Sequence, residues 1–151
     1  MPLKDDRMLQ RNRMVPELIV SDLDRSLDFW VSLLGFEIAY QRPEQRFAYL
    51  DLQGAQVMLE QFDADDHWLT GPLEKPLGRG INLQIDVVAV APLVERLERH
   101  RWPLFQACED VWYRADAIEV GLRQFLVQDP DGYLLRLAQR LGERPARSGL
   151  G

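Results

Sequence analysis

Apolar and polar positions along the chain fall into two runs of the same element order. Leu18-Ile19-Val20, after Val15-Pro16-Glu17, reads as a short strand. Ser21 and Asp22 then offer helix caps, and Asp24 adds a first-turn acid. Leu23, Leu27, Trp30 and Leu34 form one helical stripe, and Gly35 stands where a left-handed residue closes a helix. The spacing predicts a helix over residues 22–34. Strand-like runs follow at 36–41, 46–52 and 55–61, the last two joined by a tight turn at Gln53-Gly54. The order then repeats. Residues 81–87 read as a strand, and 90–101 as a helix with Val90, Leu93, Val94 and Leu97 on one face, ended by Pro103. Short strands are expected at 104–106, 123–128 and 133–139, the last two flanking the turn Asp129-Pro130-Asp131-Gly132. Segments 62–79 and 107–121 break the pattern and read as long loops.

Composition changes this picture little. Hydrophobic residues make up 46% and charged residues 28%, an ordinary globular balance. Residues 1–13 and 142–151 lack periodicity and read as frayed ends. The net charge of −6, from 18 basic and 24 acidic residues, argues against a nucleic-acid partner, whose phosphates call for cations. The one cysteine, Cys108, permits no intrachain disulfide, and Glu109 and Asp110 beside it disfavour a reactive thiolate. No apolar stretch approaches the ~20 residues that span a bilayer, and the acidic start is unlike a signal peptide. These features lead us to expect a cytoplasmic protein with no membrane partner.

Two motifs narrow the class. Val20-Ser21-Asp22-Leu23-Asp24-Arg25-Ser26-Leu27-Asp28-Phe29-Trp30, followed by Leu33-Leu34-Gly35-Phe36, resembles the first-module signature of the vicinal-oxygen-chelate superfamily. Asp129-Pro130-Asp131-Gly132-Tyr133 resembles its second-module signature. That superfamily includes glyoxalase I, bleomycin-resistance proteins and extradiol dioxygenases. The resemblance implies an α+β fold of two βαβββ modules forming a cup-shaped mixed sheet, with helices on its outer face. Module one would span 14–61, a linker 62–79 and module two 80–141, all in one domain.

The superfamily's enzymes hold a divalent metal with His, Gln or Glu. Its ligand positions fall here on Val15, on Leu59 or Glu60, on Gly80 and on Arg136. Only Glu60 offers a ligand atom, and Arg136 would repel an ion. Of the two histidines, His100 reads as a solvated helix end, and His67 lies in the 62–79 loop beside Asp65 and Asp66. We therefore expect no metal and no cofactor. The resemblance is strongest to the metal-free bleomycin-resistance branch, on Val15-Pro16 with Phe29-Trp30. It implies a homodimer that sequesters a cationic, partly aromatic molecule and so confers antibiotic resistance. The alternative is a metal-dependent enzyme of the glyoxalase or dioxygenase type with a non-standard metal site.

Strand alternation sends every second residue to one face. If Leu18 and Val20 pack under the helix, the cup receives Glu17, Met58, Glu60, Asn82, Gln84 and Arg136, with Phe47 and Tyr49 placed there as aromatics. Trp68 and Trp112, from the two long loops, would stack on a ligand's rings. These ten residues are the expected small-molecule site. An equally simple role for Arg136 is to pair with Glu17 or Glu60 as a buried charge. No nucleophile–base arrangement appears, so no catalytic residue is assigned.

Overall fold

The computed structural model describes residues 9–65 and 68–147. Two compact units form. One holds the chain up to Leu77 together with Asp129–Gly132, and the other holds Gly78–Gln128 and the chain from Tyr133 onward. Each is a βαβββ module built on its own four-stranded mixed sheet. Among the described residues, no helix is long and apolar enough to cross a membrane.

The first module runs β1 (Glu17–Val20), α1 (Leu23–Leu27), β2 (Glu37–Arg42), β3 (Phe47–Leu52) and β4 (Ala55–Gln61). Its sheet has the order β1-β4-β3-β2, with β1 parallel to β4 and the other pairs antiparallel. Asp22 caps α1 as expected, its carboxylate accepting from the Arg25 N–H at 3.2 Å. The helix expected over 22–34 does not run through as one α-helix. After α1 the chain widens into a π-helical turn at Asp28–Leu33, and the Leu34 N–H reaches back five residues to the Phe29 carbonyl. The neighbours Phe29 and Trp30 are both buried there, their rings edge-on at 6.2 Å, and Trp30 meets Phe36 at 5.2 Å. These rings cover Val20, Ala48, Leu50, Val57 and Leu59, which share the buried face of the sheet. Each of the Val and Leu side chains among them contributes about 1.5–3 kcal/mol by leaving water.

The Asp129–Gly132 turn belongs to this first unit for a physical reason. Trp30 donates its indole N–H to Asp129 Oδ2 at 3.2 Å. Asp131, 1% exposed, accepts from the Ser21 N–H at 3.1 Å and the Ser21 hydroxyl at 2.6 Å, with Lys75 Nζ 3.5 Å away. Gly132 has φ 98°, and a Cβ there would fall 2.5 Å from Pro76 Cβ. The two sequence signatures are thus two halves of one fastening.

The second module runs β5 (Asn82–Asp86), α2 (Ala91–Arg99), β6 (Gln106–Ala115), β7 (Ile118–Gln128) and β8 (Leu134–Pro145), in the order β5-β8-β7-β6. Val90, Leu93 and Leu97 on the helical stripe are buried, as are Ile85, Phe125, Val127, Leu135 and Leu137 of the sheet. Three expectations are corrected here. Residues 107–121 are not a loop: β6 and β7 form a long hairpin whose two-residue turn, Asp116-Ala117, places Asp116 at φ 58°. The strand expected at 104–106 begins only at its last residue. Nor is the segment from 142 a free tail, because β8 continues to Pro145, which pairs with Ile118.

Candidate functional site

In the first module, register brings acids and rings onto the face of the sheet opposite the helix. Glu17 stands across from Met58, Ile19 from Glu60, Phe47 from Glu60 and Tyr49 from Met58. Here a pocket of about 380 Å³ is lined by Glu17, Arg42, Phe47, Glu60, Asp63, Asp65 and Trp68. Four of the expected site residues therefore meet: Glu17, Phe47, Glu60 and Trp68. Four carboxylates face one guanidinium, that of Arg42. It lies 3.9 Å from the Phe47 ring centroid and donates to Gln45 Oε1 at 2.6 Å. The half-buried Glu60 carboxylate accepts no hydrogen bond from a described residue. Asp63 Oδ1 caps its own loop through the Asp65 N–H at 3.0 Å, and Trp68 is 84% exposed. His67 and Asp66 lie outside the described residues.

Tyr49 and Met58 share this face, but Tyr49 is covered. Its ring stacks on Tyr40 at 5.0 Å and 17°, and its hydroxyl donates to Gln56 Oε1 at 2.5 Å. Burial, ahead of the nearby Tyr40, holds the Tyr49 hydroxyl above its usual pKa. Gln56 also accepts from the Asn12 N–H at 2.8 Å, and donates to the Gln10 carbonyl at 2.7 Å and to Asp51 at 3.0 Å. Arg11 sits 5.3 Å over the Tyr40 ring. Residues 10–12, expected to be frayed, are therefore tied down across this end of the sheet.

In the second module, Gln84 of β5, Arg136 of β8, Gln124 of β7 and Tyr113 of β6 form one cluster on the face opposite α2. Arg136 donates from Nη2 to Gln84 Oε1 at 2.6 Å, and Gln84 Nε2 donates to Asp86 at 3.1 Å. The guanidinium lies 5.9 Å over the Tyr113 ring, and Gln124 Nε2 meets the Tyr113 hydroxyl at 2.7 Å. Asn82 is exposed on the same face at the start of β5. Trp112 is not part of the cluster. It follows Tyr113's opposite face, lies over Gly121 and carries Arg144 at 4.0 Å. A Cβ on Gly121 would be 2.8 Å from the indole. Tyr113, its neighbour, is the aromatic that meets Arg136 and Gln124, because alternation along the unforeseen hairpin turns Trp112 to the other face. Arg42 was also missed as a lining residue, and Gln124 and Tyr113 as members of the second-module cluster.

The superfamily's metal positions do not form a metal site here. Of Val15, Glu60, Gly80 and Arg136, one is a donor and one is a cation. Among the described residues, no group of three or more His, Cys, Asp or Glu is placed to hold an ion. The Cys108 thiol is pushed up by partial burial and by Asp110 and Glu109, against the opposing pull of Arg123. A second pocket of the first unit, about 470 Å³, has Ser21, Lys75 and Asp131 as its polar wall, and these are bonded to one another.

Two βαβββ modules, each with a parallel outer pair closing a mixed sheet, define the vicinal-oxygen-chelate class of fold. The sequence profile of the Glyoxalase/Bleomycin resistance protein/Dioxygenase superfamily matches residues 12–137, and the chain belongs to that superfamily. It is 38% identical to a superfamily member from Vibrio splendidus 12B01, over 83% of this chain and 95% of that one, with a TM-score of 0.38. It is 26% identical to TioX from Micromonospora sp. ML1, over 87% of this chain and 100% of that one, with a TM-score of 0.64. The fosfomycin resistance protein FosX from Listeria monocytogenes is 18% identical, over 89% and 94% of the two chains, with a TM-score of 0.57. No curated protein matches the chain.

Proposed function

We propose that the first module's inner face binds a small organic cation carrying an aromatic ring and sequesters it without chemistry. The carrying observation is the pocket in which Glu17, Glu60, Asp63 and Asp65 surround Phe47 and Trp68. Carboxylates attract the positive group and the rings take the apolar part, while Arg42 on Phe47 already demonstrates a cation on that ring. The non-catalytic reading is supported by the donor set at the metal positions and by the raised, unactivated Cys108 thiol. Superfamily members include a fosfomycin resistance protein, which is consistent with a role in resisting a toxic small molecule. The resemblance to sequestering relatives extends the proposal to a homodimer, which sedimentation equilibrium checks.

The test is a tryptophan-fluorescence titration with metal-free bleomycin, a bulky cationic probe. Saturable quenching is expected in the wild type. Trp68→Phe should remove much of the signal, and Glu60→Gln should weaken the cationic probe far more than a neutral aromatic one. Equal weakening of both probes would overturn the charge argument.

A further inference from the structure

The inner face of the second module holds two buried polar atoms that no described residue satisfies. Arg136 Nε is buried without an acceptor, and Gln124, 3% exposed, has a buried Oε1 without a donor. Both belong to one cluster, because Tyr113 lies against the Arg136 guanidinium and bonds the Gln124 amide. Among the described residues no carboxylate of its own module stands at ion-pair distance from Arg136. Its hydrogen-bond partner is the neutral Gln84 Oε1, while Asp86 on the same strand is engaged by Gln84 Nε2. A buried Nε–H and a buried amide oxygen left without partners carry a desolvation cost that an incoming group relieves.

The chemistry of that group follows from the donors. Arg136 Nε requires an acceptor. A half-turn of the Gln124 amide keeps its bond to Tyr113, with the hydroxyl then donating to Oε1, and turns the Nε2 hydrogens toward the unpartnered side. Both residues then donate, and an oxyanion satisfies both. We propose that Arg136 and Gln124 bind the carboxylate of a small organic molecule on the inner face of the second sheet. The site deepens the reading of these inner faces as ligand-binding. Position 136 is where the superfamily places a metal ligand, and the misfit noted above has a positive meaning. The guanidinium itself supplies the positive charge, and its planar fork matches a carboxylate.

The test is an NMR titration of the full chain with benzoate, and with benzamide as the neutral isostere, following the Arg136 Nε–H and Gln124 side-chain resonances. Benzoate should shift both saturably and benzamide should not. Arg136→Met should weaken benzoate roughly ten- to a hundredfold, the range for a hydrogen bond to a charged group. Arg136→Lys, which keeps the charge without the fork, should fall between, and gives a second reading if Arg136→Met fails to fold. Unmoved resonances, equal response to benzamide, or wild-type benzoate affinity in both Arg136 variants would each overturn the proposal. So would a crystal structure at saturating benzoate with only a water between the two side chains. The cation reading of the first module has its own probe and its own variant, so its failure remains distinguishable from failure here.

Discussion

The two modules share one topology and differ in charge at one corresponding inward position. In the first, Ile19 of β1 stands opposite Glu60 of β4, one residue before the buried Val20. In the second, Gln84 of β5 stands opposite Arg136 of β8, one residue before the buried Ile85. Glu60 and Arg136 thus hold corresponding places, an anion in one module and a cation in the other. The helix-side faces differ far less, since both are filled by Val, Leu, Ile and aromatic residues. The backbone fixes where a side chain stands, and the buried face fixes the register. The identity of the inward residue is left open to chemistry. This is why membership of the superfamily does not determine what either face takes.

The largest effect expected is the loss of one side of this comparison. Trp30 is fully buried between Phe29 and Phe36 and holds Asp129. Trp30→Ala should cost about 3–5 kcal/mol in chemical denaturation and release the Asp129–Gly132 turn. A cost below about 1 kcal/mol would mean that the fastening is not what organises the first module. Gln56→Leu is smaller. It strands the Tyr49 hydroxyl, the Asn12 N–H and the Gln10 carbonyl, and should cost about 1–3 kcal/mol. Trypsin should then cut faster after Arg11 and Arg13, and unchanged cleavage would show that residues 10–12 are held by something else.

A charge exchange sharpens the comparison at smaller cost. The double variant Glu60→Arg with Arg136→Glu should change stability by about 1 kcal/mol, because neither residue lies in the packed face. It should also invert the preference of the two faces for cationic and anionic probes. The smallest effect concerns the β6–β7 hairpin outside both faces. Arg123 bonds the Asp110 carboxylate at 2.8 and 3.1 Å and holds it below its usual pKa. A depressed carboxylate contributes stability above its unfolded-state pKa and loses it as pH falls through the folded value. Both groups are exposed, so salt screens the pair. Arg123→Ala should return the Asp110 pKa upward, as read by carboxyl NMR, with little change in stability at neutral pH.

Much of the first module was legible in the sequence. The Leu23, Leu27, Trp30 and Leu34 stripe and the Gln53-Gly54 turn are local signals, and alternation put Glu17, Met58 and Glu60 on the inner face. What was not legible depended on tertiary partners. The π-helical turn answers the burial of two adjacent rings, which no helical period announces. The anchoring of residues 10–12 depends on Gln56, more than forty residues away, through 2.7 and 2.8 Å bonds. The β6–β7 hairpin turns at Asp116, where a non-glycine residue takes a left-handed conformation, so the usual glycine mark of a tight turn is missing. That one omission also misplaced Trp112 and hid Tyr113. Arg42 was hidden for a different reason, since its place over Phe47 needs the β2–β3 register.

On the proposed reading, Glu60 and Arg136 give the two inner faces opposite ligand preferences. Calorimetric titration of wild type, Glu60→Gln and Arg136→Met with benzyltrimethylammonium and with benzoate tests it most directly. Glu60→Gln should lose affinity for the cation alone and Arg136→Met for the carboxylate alone. If both variants lose both probes equally, or neither variant affects either probe, the claim is contradicted.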